Sequence, residues 1–117
     1  MTKPRILLVE DEAMVALMME DMLEDLGCEV AASFGVVGEA LAWLNEPGHA
    51  IDGAVLDVNL GGQTVFPVAD VLLANGTPFA FLTGYSAVPQ ARTYAATVLN
   101  KPVDPGALQH LVASFTA

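Results

Sequence analysis

The sequence predicts an α/β fold: a doubly wound, five-stranded parallel sheet in the order 2-1-3-4-5, flanked by five helices. Three observations predict it. Short apolar runs alternate with segments of helical period along the chain. Several of those runs are apolar at consecutive positions, as strands covered on both faces must be. Acidic and hydroxyl residues stand where successive runs end, which is where open α/β sheets hold their ligands.

Taken in order, Arg5–Glu10 is the first strand. The helix Glu12–Leu26 follows, with Val15, Met19, Met22 and Leu26 at three- and four-residue spacing and Gly27 placed to end it. Met14, Met18, Met19 and Met22 read as core packing, Glu20, Asp21, Glu24 and Asp25 as a solvated face, and Cys28 as a small buried residue. Glu29–Ser33 is the second strand, and Val36–Asn45 the second helix, stopped by Glu46-Pro47-Gly48. Gly53–Asp57 is the third strand. The helix Thr64–Asn75 turns Val65, Val68, Ala69 and Leu72 inward and closes at Asn75-Gly76. Pro78–Thr83 and Thr97–Asn100 complete the sheet. Between them Ala87–Ala96 is predicted as a short or irregular helix, with Pro89 near its start and Thr93 inside. The last helix opens on Asp104 as N-cap and Pro105 at its first position, then buries Leu108, Leu111, Val112 and Phe115.

A chain of 117 residues, 54% hydrophobic and 15% charged, suits one core, so a single domain over 1–117 with no output domain is expected. Acidic residues number 14 against four basic ones, a formal charge of −10. Lys3, Arg5, Arg92 and Lys101 cannot form the basic stripe that nucleic acid or an anionic membrane requires. A protein or a cation is the expected partner. Cys28 has no second cysteine to pair with, and His49 and His110 lack zinc-like spacing. The apolar run Ile6–Val9 is too short for a signal peptide, and no stretch reaches a membrane span, so a soluble protein of a reducing cytosol is expected.

The chemistry gathers at the strand ends. Glu10, Asp11 and Glu12 end the first strand, Asp57 the third and Thr83 the fourth, while Lys101-Pro102 follows the fifth. Two carboxylates about 4 Å apart repel by roughly 4 kcal/mol at an effective dielectric of 20, so a proton or a cation must join them. Oxygen ligands from Asp11, Asp57 and a backbone carbonyl near Asn59, with water completing the shell, suit Mg²⁺. Glu12 reads as a helix N-terminal residue favoured by the dipole rather than as a ligand. A carboxylate nucleophile beside Mg²⁺, with a lysine and a hydroxyl converging, describes phosphoryl transfer. In this reading Asp57 attacks phosphorus in line, Lys101 neutralises one equatorial oxygen, and Thr83 hydrogen-bonds another.

These pieces resemble the response-regulator receiver domain. The likeness rests on Ile6-Leu7-Leu8-Val9-Glu10-Asp11-Glu12, Val55-Leu56-Asp57-Val58-Asn59-Leu60, Thr83 and Lys101-Pro102, in that order and spacing. It implies a CheY-like fold and a phosphoacceptor Asp57 served by a histidine kinase or phosphotransfer protein. It implies that Glu10, Asp11, Asp57 and the Asn59 carbonyl organise Mg²⁺, that Thr83 and Lys101 switch contacts with a downstream protein, and that a cis peptide precedes Pro102. The chain is then a phospho-accepting signalling domain, assisting its own phosphotransfer and dephosphorylation, rather than an enzyme. Pro78-Phe79-Ala80-Phe81-Leu82-Thr83-Gly84-Tyr85 is similar to the signature of the FATGUY-type single-domain receivers, and the Gly61–Pro67 loop resembles theirs.

The departures bear on output. Three residues before the lysine, where common receivers carry an aromatic toggle, stands Val98, which makes Tyr85 the substitute switch candidate. Gly84 and Gly61 replace larger residues of the family pattern. Two competing readings remain: a pseudo-receiver that binds partners without phosphorylation, and a small Mg²⁺ phosphatase of the haloacid dehalogenase type. The second lacks its Asp-x-Asp pattern, since Asp11-Glu12-Ala13 stands there.

Overall fold

The computed structural model describes residues 3–84 and 94–116. Its main sheet is built of β1 (Arg5–Val9), β2 (Glu29–Phe34), β3 (Gly53–Asp57), β6 (Phe79–Thr83) and β7 (Thr97–Asn100). All neighbours are parallel, in the order β2-β1-β3-β6-β7. This is the predicted 2-1-3-4-5 arrangement. β3 and β6 are buried along their whole length, because both their faces are covered.

The strand side chains alternate between two cores. Leu7, Val9, Ala54, Leu56, Phe79 and Phe81 meet α2 (Val37–Asn45) and α3 (Phe66–Ala74) on one face. Ile6, Leu8, Val55, Ala80, Leu82 and Leu99 meet α1 (Ala13–Asp25) and α4 (Pro105–Phe115) on the other. Asp104 caps α4, its Oδ2 accepting from the Ala107 N–H at 2.9 Å. Gly53 is the point of closest approach: a Cβ there would clash with the edge of the Phe115 ring.

Four of the five predicted helices stand among the described residues. Most of the predicted Ala87–Ala96 helix lies outside them, and its described end is a turn in which Ala95 takes φ +54°, which no right-handed helix accommodates. Only Met19 of the four methionines is core; Met14 and Met18 are exposed, and Met22 is half-buried. The inward pair of α1 is Met19 and Leu23, four residues apart, while Val15, Met22 and Leu26 only flank the core. The loop after Asp57 departs too, since Thr64, predicted to start a helix, lies in a strand and the helix begins at Phe66. The loop contains an antiparallel hairpin, β4 (Asn59–Leu60) and β5 (Gln63–Thr64), turned by Gly61 and Gly62 at φ +56° and +90°. Two consecutive positive φ values are the requirement of a two-residue hairpin turn, and glycine meets it without a Cβ clash.

Candidate functional site

The site opens at the carboxyl ends of β1, β3, β6 and β7, on either side of the reversal in strand order. Backbone ladders continue one residue past the strands and fix its walls. The Glu10 N–H donates to the Phe34 carbonyl at 2.9 Å, Val58 N–H to Leu82 at 3.0 Å, and Lys101 N–H to Thr83 at 2.8 Å. The peptide between Lys101 and Pro102 is cis, as the family resemblance implied.

A cleft of about 410 Å³ lies between Asp11, Glu12, Asp57, Asn59, Gly61, Thr83, Gly84 and Lys101. Glu10, Asp57 and Thr83 are buried, whereas Asp11 is exposed at the rim. One carboxylate oxygen each from Glu10, Asp11 and Asp57 comes within 4.8 Å of the others. Lys101 answers this charge. Its Nζ stands 3.1 Å from Glu10 Oε2 and 3.2 Å from Asp57 Oδ2, with Glu12 Oε1 farther out at 3.7 Å.

Local hydrogen bonds hold two of the carboxylates. The Asn59 N–H donates to Asp57 Oδ1 at 3.3 Å, and the Glu12 N–H to Glu10 Oε1 at 3.1 Å. Burial pushes the Glu10 carboxyl up to about 7, with the Asp57 charge adding to the rise. The Glu12 N–H and Lys101 oppose it without prevailing. Burial alone would depress the Lys101 ammonium, but Glu10 and Asp57 more than offset it and the net shift is upward.

The donor set fits a hard divalent cation. All the available ligands are oxygens. Glu10 Oε2 is buried beside Lys101 and has no well-aligned hydrogen-bond donor among the described residues, which leaves it an acceptor at the acidic cluster. Cysteine and histidine are missing from the cleft, which disfavours zinc.

The sequence-predicted residues Glu10, Asp11, Asp57, Asn59, Thr83 and Lys101 therefore converge in one place. Tyr85 lies outside the described residues. Val98, at the position of the usual toggle, is partly exposed on β7. Sequence reasoning missed two features. Glu12 stands at the N-terminus of α1 as predicted, but its side chain makes no capping bond and lies 3.7 Å from Lys101 Nζ, a contact the sequence did not show. Gly61 enters the cleft wall, where a Cβ would lie 3.7 Å from Asp11 Oδ2. The Gly61-Gly62 pair, flanked by strand-compatible residues, carried the signal for that hairpin.

Comparison with known proteins agrees with this geometry. The family model described as the response regulator receiver domain matches residues 6–113. The solution structure of SdrG from Sphingomonas melonis Fr1 is similar at 38% identity and TM-score 0.83, with 100% of each chain covered. A response regulator receiver protein from Sinorhizobium medicae WSM419 is similar at 28% identity and TM-score 0.83, over 97% of this chain and 94% of the other. The signal receiver domain of a modulated diguanylate cyclase from Desulfovibrio desulfuricans G20 matches at 28% and 0.83, over 97% and 92%. No curated protein sequence matches. With the acidic cleft, the lysine and the sheet order all in place, the chain belongs to the response regulator receiver domain family.

Proposed function

We propose that this chain is a phosphorelay receiver whose phosphoacceptor is Asp57, loaded by a histidine kinase or a histidine phosphotransfer protein. The observation that carries the reading is the meeting of Lys101 Nζ with Asp57 Oδ2 at 3.2 Å on the floor of an open acidic cleft. One Asp57 carboxylate oxygen forms the new bond to phosphorus. The bond from phosphorus to the donor's nitrogen or oxygen breaks, and the leaving group departs with that electron pair. Lys101 neutralises an equatorial oxygen of the arriving group, and the Thr83 hydroxyl donates to another. The Asn59 N–H on Asp57 Oδ1 orients the carboxylate for this approach.

Mg²⁺ would be held by Asp11, Asp57, Glu10 and the Asn59 carbonyl, and supplies charge neutralisation to the transferring group. The acyl phosphate adds charge and acceptor oxygens in the cleft, which changes the surface offered to a downstream protein. Among the described residues no helix is long and apolar enough to cross a membrane.

Intact mass after incubation with acetyl phosphate and Mg²⁺ tests the proposal. One phosphoryl adduct, absent in Asp57→Asn, is expected. No adduct on the wild-type chain would favour the pseudo-receiver reading, and steady turnover of a generic phosphate ester would favour the phosphatase.

A further inference from the structure

We infer that Glu12 is a positioning residue that restrains loading of the site, by holding Lys101 toward the cleft mouth and opposing entry of anionic phosphodonors. This inference rests on Asp57 being the phosphoacceptor.

Glu12 occupies the N-cap position of α1, with φ −84° and ψ 113°. Ser, Thr, Asp and Asn at this position fold back onto the first free N–H groups of the helix, whereas the longer Glu12 side chain makes no such bond. Its backbone is nevertheless fixed from both sides. The N–H donates to Glu10 Oε1, and the carbonyl accepts from Ala16 at 2.9 Å, opening the helix. With the backbone pinned and the cap unused, the carboxylate is aimed into the cleft, 3.7 Å from Lys101 Nζ.

The contact is a poor stabiliser. The Glu12 side chain is 66% exposed, and such ion pairs contribute little to folding. Its consequence lies in where the charge stands. Lys101 is shared among Glu10, Asp57 and Glu12, and Glu12 alone of the three is outside the buried floor. An incoming phosphoryl oxygen must take Lys101 from this third carboxylate while passing a negative charge at the rim. A like charge lining a cleft lowers the local concentration and entry rate of an anion.

The experiment measures the rate of Asp57 phosphorylation by acetyl phosphate, in wild type and Glu12→Gln, by intact mass. In this reaction the phosphoryl group leaves the acetyl oxygen for the Asp57 carboxylate, and acetate departs with the bonding pair. Saturating Mg²⁺ removes any difference in metal affinity between the two proteins. At low ionic strength Glu12→Gln should load about three- to tenfold faster. The gap should narrow in about 0.5 M salt, where exposed charges are screened beyond a few ångströms. A merely structural role for Glu12 would move thermal stability and leave this salt-dependent ratio at one. Equal or slower loading by the variant, or a rate gain that salt does not reduce, overturns the inference while leaving the phosphoacceptor intact. Failure of the wild type to load at all removes both.

Discussion

Lys101 Nζ lies 3.2 Å from Asp57 Oδ2 and 3.1 Å from Glu10 Oε2, joining the ends of three strands that are distant in sequence. Two buried carboxylates without a cation would repel each other in a poorly solvated site. The lysine is thus a structural counter-ion, and in the proposed function the same group receives a phosphoryl oxygen.

Lys101→Ala should therefore cost stability as well as signalling. Loss of the ammonium leaves Glu10 and Asp57 buried without their ion pair, and a reduction of about 1–3 kcal/mol in metal-free urea unfolding is expected. Added Mg²⁺ should raise the variant's unfolding midpoint by mass action. A variant as stable as wild type without metal would deny the lysine its counter-ion role.

Asp11 stands exposed at the rim, so its carboxylate can be altered with little effect on the core. Asp11→Asn should bind Mg²⁺ about tenfold or more weakly by calorimetry. Its unfolding free energy should stay within about 0.5 kcal/mol of wild type. Undiminished Mg²⁺ affinity would take Asp11 out of the ligand set.

Gly53 leaves no room for a methyl group against Phe115, whereas a Cβ on Gly38 meets nothing within 4 Å. Gly53→Ala should destabilise by about 1–3 kcal/mol through overpacking. Gly38→Ala, in the first turn of α2, should be neutral or stabilising by up to about 1 kcal/mol. Chemical denaturation of the pair reads the contrast directly, and equal effects would mean that the Phe115 ring moves aside freely.

Burial pushes the Cys28 thiol above its ordinary value of 9.0, and only 1% of the residue is exposed. The thiolate is the reactive species, so iodoacetamide at pH 8 should alkylate the native protein about a hundredfold or more slowly than the urea-unfolded chain. Because the folded value lies above the unfolded one, the associated stability is full below about pH 9 and fades as pH rises through the folded value. Matching alkylation rates in the two states would place the thiol at the surface.

The sheet and the site were legible because both follow from local pattern. Strands covered on both faces must be continuously apolar, and Gly53–Asp57 matches its predicted bounds. The inward residues of the last helix, Leu108, Leu111, Val112 and Phe115, are those its period selects. Helix α1 was misread because apolar residues surround it. Met14, Leu17 and Met18 are exposed, so composition alone could not say which stripe faces the sheet. The contact between Glu12 and Lys101 was illegible for a different reason: it spans 89 positions and depends on which way an uncommitted cap side chain turns.

The ladder bond from the Lys101 N–H to the Thr83 carbonyl, 2.8 Å long, ties the two proposed phosphate-gripping residues into one stiff unit. Asp57 sits on the adjoining strand, in register with Leu82. The two side chains therefore hang from one backbone mount at the outer strand of the sheet, and their spacing is set by that hydrogen bond rather than by a flexible loop.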